Sequence, residues 1–122
     1  MYAIEVAGNE AIDDFTFDKS RGSSCREFWY WRKNNALHAW MEQLYKSKEG
    51  TEKFNCVNVR LTKGDLLALQ SDILLDKLKP ASGFFWGNME YNPDRKQQDL
   101  EFVTAALVSI EAGRAIYYTS WW

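Results

Sequence analysis

RAIYYTSWW, residues 114–122, is the stretch that decides the fold of this 122-residue chain. It consists mainly of β-branched and aromatic side chains, which favour an extended strand. Gly113, directly before it, is typical of the residue that follows the last turn of a helix. Successive side chains of a strand point to opposite faces, so at least one face of this strand must belong to the core. One face carries Tyr117, Thr119 and Trp121, and the other carries Tyr118, Ser120 and Trp122.

A second strand is predicted over residues 54–61, FNCVNVRL. Apolar residues alternate there with Asn55, Asn58 and Arg60, which is the pattern of a strand with one buried face. We expect the C-terminal strand to pair beside it. The first 25 residues are less patterned, and we expect them to form an irregular arm with a short strand over residues 2–6.

The first of three predicted helices follows an aromatic segment. Apolar residues three and four positions apart indicate a helix over residues 35–46, which Asn34 or Asn35 could cap. Residues 28–31 before it are either extended or an earlier helical turn. The apolar positions of the helix are Leu37, Trp40, Met41 and Leu44.

Two further helices flank a loop that is rich in aromatic residues. Thr62 and Asp65 have the spacing of a capping box, which predicts a helix over residues 63–75. Pro93 and Gly113 are typical of the two ends of the last helix, on which Asp99 is expected on an exposed face. The expected buried positions are Leu66, Leu69, Ile73 and Leu78 for the first of these helices, and Leu100, Val103, Leu107 and Ile110 for the second.

The order of these elements predicts an α+β fold. About three helices pack on a short β-sheet that includes residues 54–61 and a C-terminal strand over residues 114–121. A chain of this length is expected to form a single domain with one core, residues 1–122. Within it, residues 1–25 are the irregular N-terminal arm and residues 26–122 are the core of the domain.

Composition and charge exclude several classes of partner. Fifteen Lys and Arg residues against 17 Asp and Glu give a net charge of -2, which is too balanced to attract nucleic acid or an anionic membrane. No stretch approaches the ~18 apolar residues that span a bilayer, and the first residues do not resemble a secretion signal, so we expect a cytoplasmic protein. Cys25 and Cys56 lie far apart in a chain with one histidine, so we expect free thiols and no zinc site.

The sequence contains no motif that identifies an enzyme. It has neither a GxxxxGK[ST] nor a GxGxxG phosphate-binding loop, and GFFWG at 83–87 is too bulky to cradle a phosphate. No pair of carboxylates has a distinctive spacing, and neither cysteine has neighbours that mark a nucleophile. We therefore assign no catalytic residue, metal or cofactor, and we favour binding over catalysis. His38 lies beside the apolar stripe of its helix, as either a hydrogen-bonded edge residue or a ligand contact.

The segment FWYWRKNN, residues 28–35, has the composition of a binding site. It interleaves four aromatic side chains with Arg32 and Lys33, which suits the stacking of a base or ring beside an anion. The alternative is that its aromatic residues belong to the core and its cations are solvated. Aromatic residues form 16% of the chain, which is more flat surface than its core needs. We therefore expect a homo-oligomer, with a dimer as the default, although a higher ring or a host protein would bury the same surface.

The chain resembles one known family in four blocks, YWRKNNALHAWM, FNCVNVRLT, GFFWG and IYYTSWW, and in Asp65, Asp99 and Phe102. The four blocks resemble the Y-x-(R/K)-K-x-x-x-L-H-x-W-M, F-N-C-V, G-F-F-x-G and Y-Y-x-S-W-W blocks of short, mostly uncharacterised proteins of tailed bacteriophages and prophages. The resemblance covers residues 28–122. It implies a cytoplasmic product in an infected bacterial host and no established activity. By position, the residues that recur in the family are Tyr30, Arg32, Lys33, His38, Trp40, Asn55, Asp65, Tyr118, Ser120, Trp121 and Trp122.

Polar residues that recur among aromatic residues fit a pocket better than a core, because a core needs no lysine or histidine. The resulting hypothesis is a phage accessory protein that counters host defence by sequestering a nucleotide-type immune signal. Nucleic acid and membranes are not expected as partners. One alternative is a protein–protein inhibitor of a host defence effector or nuclease, and another is a small nucleotide-degrading enzyme with His38 as acid–base. In the leading hypothesis Tyr30, Trp40 or Trp121 stacks the base, Arg32 and Lys33 hold phosphate, and His38, Asn55 and Ser120 contact base edges or ribose, with Tyr118 in the same pocket.

Overall fold

The computed structural model describes residues 1–8, 11, 13–15, 26–31, 34–51, 57–75, 77–78 and 93–120. These residues form a small single α+β domain in which three helices pack on one face of a four-stranded antiparallel sheet, as predicted. Within the described ranges, no helix is long and apolar enough to cross a membrane. The elements are β1 (Tyr2–Ala7), β2 (Arg26–Tyr30), α1 (Asn35–Ser47), β3 (Asn58–Leu61), α2 (Lys63–Leu74), α3 (Pro93–Glu111) and β4 (Arg114–Thr119).

The C-terminal strand β4 lies in the interior of the sheet, whose strand order is β2-β1-β4-β3. It pairs with β3 from Asn58 to Leu61, so the predicted neighbour is confirmed. The part of that predicted strand before residue 57 lies outside the described residues, as do Trp121 and Trp122. Gly113, at φ +87°, makes the turn from α3 into β4, because a positive φ is unfavourable for residues with a Cβ atom.

The short strand expected over residues 2–6 is confirmed as β1, but it belongs to the sheet and not to an irregular arm. This strand is the second interior strand and pairs with both β4 and β2. Its sequence, YAIEVA, is too short for the alternation of side chains to show whether the strand lies at the edge or in the interior of the sheet. Glu5 also argues against an interior position, because a carboxylate is unusual in a buried strand. The interior position of β1 follows from its pairing along the whole of β4, from Tyr2 opposite Thr119 to Ala7 opposite Arg114.

Both faces of β4 are buried. Ile116 and Tyr118 belong to the main core under the helices, whereas Ala115 and Tyr117 pack with Val6 on the opposite face of the sheet. Asp13 lies at that second face, where its carbonyl accepts a 2.7 Å hydrogen bond from the Tyr117 hydroxyl. The neighbouring carbonyl of Asp14 accepts one from the backbone N–H of Arg60, which protects the outer edge of β3.

The first two helices begin as their cap residues predict. Asn34 caps α1, since its side-chain oxygen accepts from the backbone N–H of Leu37. Thr62 and Asp65 form the predicted capping box of α2. Leu66, Leu69, Ile73 and Leu78 are buried in the main core, as expected.

The last helix is rotated relative to the predicted stripe. Val103 is buried as predicted, but Leu100, Leu107 and Ile110 are only partly buried. The prediction of an exposed Asp99 is wrong, because its exposed fraction is 0%. Indole and amide donors from outside α3 bond its carboxylate, so Asp99 lies on the inward face of the helix. The residues of α3 that face the core are Asp99, Phe102, Val103, Ala106 and Ser109.

Candidate functional site

Three of the predicted ligand residues form one hydrogen-bonded chain where α1 approaches β4. The hydroxyl of Tyr118, on β4, lies 2.8 Å from Nδ1 of His38 on α1. Ser120, just beyond the end of β4, bonds the same hydroxyl. Tyr118 is fully buried, Ser120 is 2% exposed, and His38 is partly exposed. The chain His38–Tyr118–Ser120 therefore runs from the core to the surface, and it is the candidate site.

The candidate site carries no charge at neutral pH. Burial lowers the pKa of His38 to about 4, an effect that the nearby Glu42 opposes and the positive amino group of Met1 reinforces. Burial also raises the pKa of the Tyr118 phenol, although the hydrogen bond with Ser120 acts in the opposite direction. Which of His38 and Tyr118 donates in their shared hydrogen bond is set by the tautomer of the imidazole.

A second buried network adjoins the candidate site. Asp99 accepts a 3.0 Å hydrogen bond from the indole N–H of Trp31 and bonds of 3.1 and 3.0 Å from the side-chain amide of Asn34. The ring of Trp31 lies 6.0 Å from that of Tyr118, so the two networks share an aromatic contact. Asp99 thus anchors the residues on either side of positions 32 and 33 in the sequence.

Two predicted stacking residues do not join the candidate site. The β1–β2 register shifts by one residue between Ala3 and Ile4, which places Tyr30 opposite Tyr2 on the face of the sheet away from the helices. Tyr30 is 55% exposed there, with its ring 5.2 Å from that of Tyr2. The indole N–H of Trp40 donates a 2.9 Å hydrogen bond to Asp72, so Trp40 links α1 to α2.

The remaining predicted ligand residues lie outside the described residues. These are Arg32, Lys33, Asn55 and Trp121. The same holds for Cys25, Cys56 and the block GFFWG at 83–87.

Sequence reasoning missed the network around Asp99, although a signal for it exists. Asp99 precedes Phe102 and Val103 by three and four positions, which is the spacing of residues on one face of a helix. Both apolar residues are fully buried, so the helical period itself points Asp99 inward. The prediction of a solvent-exposed Asp99 used only the residue type and overlooked the helical spacing.

The arrangement of the candidate site suits binding better than proton transfer. A histidine with a pKa of about 4 is neutral at pH 7, so it offers hydrogen bonds but few protons. Among the described residues, no group of three His, Cys, Asp or Glu side chains could hold a metal ion. The candidate site itself offers hydrogen bonds and an aromatic ring to a ligand.

Comparison with known proteins provides no relative for this chain. No protein-family model, no curated protein and no solved structure matches it. The described contacts and the sequence blocks are therefore the basis on which a function can be proposed.

Proposed function

We propose that this protein is a phage accessory protein that counters host defence by sequestering a nucleotide-type immune signal in the cytoplasm of an infected bacterium. The single observation that carries the proposal is the His38–Tyr118–Ser120 chain. Three residues chosen from two sequence blocks that are far apart in the chain meet in one network. A packing role alone does not require a histidine and a serine to bond the same buried phenol.

The uncharged state of the network supports recognition of a heterocycle or a ribose. Neutral donors and acceptors that are held in a low-dielectric environment discriminate strongly, because a ligand that fails to pair with them leaves them desolvated and unsatisfied. Arg32 and Lys33, which follow Trp31 directly in the sequence, would hold the phosphates. Of the three proposed stacking residues, Trp121 follows Ser120 directly, whereas Tyr30 lies on the other face of the sheet. We place the pocket at a homo-oligomer interface, where surplus aromatic surface would be buried.

The proposal is tested by thermal denaturation and calorimetry with a panel of cyclic oligonucleotides and ADP-ribose derivatives. We expect one class to raise the melting temperature by several degrees, since a ligand that binds only the folded state stabilises it. Ser120→Ala should weaken binding by roughly tenfold, because it removes one hydrogen bond from the network. Gln43→Ala, at an exposed position of α1, is the matched control and should bind normally. Failure of the whole panel to shift the melting temperature would contradict the proposal.

A second candidate, an inhibitor that binds a host defence effector or nuclease, is favoured by the apolar surface of α2 and α3. Leu74 and Leu75 are 56% and 61% exposed at the end of α2, and Val108 is 65% exposed on α3. Leu74 and Leu75 are adjacent in the sequence, and adjacent exposed apolar residues are typical of protein interfaces. Retention of one host protein by the wild type and its loss with Leu74→Asp, together with no response to nucleotides, would favour this candidate over the first.

The third candidate, a nucleotide-degrading enzyme with His38 as acid–base, has less support. A general acid must be protonated at working pH, and the burial of His38 keeps it neutral there. Product formation from a nucleotide that His38→Ala abolishes would nevertheless establish this candidate.

A further inference from the structure

Two exposed arginines converge on one buried carboxylate at the end of the sheet that lies away from the candidate site. Oε1 of Glu5, on β1, accepts a 2.7 Å hydrogen bond from Nε of Arg26 and a 2.8 Å bond from Nη1 of Arg114. The second carboxylate oxygen accepts a hydrogen bond from the hydroxyl of Ser109 on α3. The side chain of Glu5 is only 3% exposed, whereas those of Arg26 and Arg114 are 62% and 50% exposed.

This arrangement leaves an excess of positive charge at the surface. One carboxylate faces two guanidinium groups, and in the described part of the chain neither arginine is paired with a second carboxylate. Burial by itself raises the pKa of Glu5, but the bonds from Arg26, Ser109 and Arg114 outweigh it and hold that pKa below its ordinary value. Glu5 is therefore ionised at neutral pH, and the cluster carries one net positive charge.

The geometry suits an oxyanion. Because both arginine bonds end on the same oxygen, their two donor nitrogens lie no more than about 5.5 Å apart. A guanidinium has five N–H donors in a rigid plane, and Glu5 takes one from each arginine. The remaining donors lie on side chains that are half-exposed or more, and Arg26 is held further by the face of the Phe28 ring, 5.8 Å away.

We propose that Arg26 and Arg114 form a binding site for a phosphate group, with Glu5 as the buried positioning residue. The anion bridges the two guanidinium groups and relieves the repulsion between them. Glu5 holds both guanidinium groups in place before the anion binds. A well-packed apolar residue at position 5 would avoid the desolvation of a carboxylate, so a structural role alone does not explain this cluster. The site shares no residue with the His38–Tyr118–Ser120 chain and does not depend on the proposed function.

The test is a titration of the full chain with inorganic phosphate at constant ionic strength, followed through the Nε–H signals of arginine in ¹H–¹⁵N NMR spectra. We expect saturable shifts of the Arg26 and Arg114 signals. Arg114→Lys retains the charge that Glu5 needs but loses the planar fork, so it should weaken phosphate binding by roughly tenfold. Lys46→Gln is the matched control, since it removes one exposed, ion-paired cation elsewhere on the surface and should leave binding unchanged.

Three outcomes would overturn the site: no saturable shift with phosphate, equal shifts with chloride at the same ionic strength, or an unchanged affinity in Arg114→Lys. A parallel titration with adenosine monophosphate distinguishes the source of the anion. Equal affinities indicate recognition of the phosphate group alone, and tighter binding of the nucleotide indicates that a phosphate ester is the natural ligand. Because the readout comes from Arg26 and Arg114 themselves, failure here is distinguishable from failure of the nucleotide panel at the candidate site.

Discussion

The two ends of the helix-covered face of the sheet bury polar groups in different ways. Toward one end, His38, Tyr118 and Ser120 form an uncharged chain, in which burial holds the histidine neutral. Toward the other end, Glu5 remains ionised because two arginines bond it from the surface. The difference shows that a buried titratable group either loses its charge or is bonded by groups of opposite charge, and the outcome depends on whether such groups can reach it.

Asp99 provides the largest expected effect and extends the comparison to a further buried carboxylate, which accepts hydrogen bonds from Trp31 and Asn34. Asp99→Ala should lower the free energy of unfolding by about 3–5 kcal/mol, because it leaves a buried indole N–H and a buried amide without their acceptor. Urea denaturation at pH 7 measures the loss. Asp99→Asn keeps one acceptor oxygen and should lose clearly less. Equal losses in the two variants would show that the hydrogen bonds do not carry the effect.

Glu5→Gln should have the next largest effect, a loss of about 2 kcal/mol, because it replaces a charge-assisted acceptor between two arginines with a neutral one. The loss should depend on pH. A carboxyl whose pKa is lowered in the folded state contributes stability above its ordinary value of 4.5, and this contribution disappears as pH falls through the folded pKa. Wild type and variant should therefore differ at pH 7 and converge in acid. A constant difference down to strong acid would contradict the charged state of Glu5.

Tyr118→Phe should cost about 1 kcal/mol, because the ring still fills the core while His38 and Ser120 lose a hydrogen-bond partner. Thermal denaturation at pH 7 measures this loss. A loss above about 3 kcal/mol would point to a cavity or a rearranged core.

His38→Gln should have the smallest effect at pH 7 and the most informative pH dependence. A histidine whose pKa is lowered from 6.5 to about 4 binds a proton more readily in the unfolded state, so wild-type stability should fall as pH decreases from 6.5 to 4. The variant should lack this part of the decline. The stabilisation by Glu5 is lost below 4.5, the ordinary pKa of its carboxyl, so the two ends of the sheet should lose stability in adjacent pH ranges. Identical pH profiles of stability for wild type and His38→Gln would show that His38 does not contribute to the pH dependence.

Local signals in the sequence predicted those parts of the fold that depend on neighbours along the chain. The cap at Asn34, the capping box of Thr62 and Asp65, and the positive φ at Gly113 each involve residues within one helical turn. The interior position of β1 and the hydrogen-bond donors of Asp99 depend on partners more than 60 residues away, such as β4 and Trp31. No local pattern encodes such a partner.

The candidate site shows the same division. The sequence blocks pointed to His38, Tyr118 and Ser120. His38 and Tyr118 are 80 residues apart in the sequence, so only the packing of the fold brings them into contact. The same blocks selected Tyr30, which strand alternation and a register shift turn to the opposite face. A register shift of one residue is decided by pairing between strands, so it cannot be derived from one strand alone.

The sequence by itself determined the α+β class, three helices with their caps, and a C-terminal strand beside residues 58–61, because propensity, period and capping act over a few residues. The tertiary structure decided which polar groups are buried and which of them keep a charge. Burial and charge compensation are properties of three-dimensional neighbours, and a carboxylate such as Glu5 or Asp99 has the same local chemistry on either side of a strand or helix. Only the folded chain brings two arginines to one of them and an indole to the other.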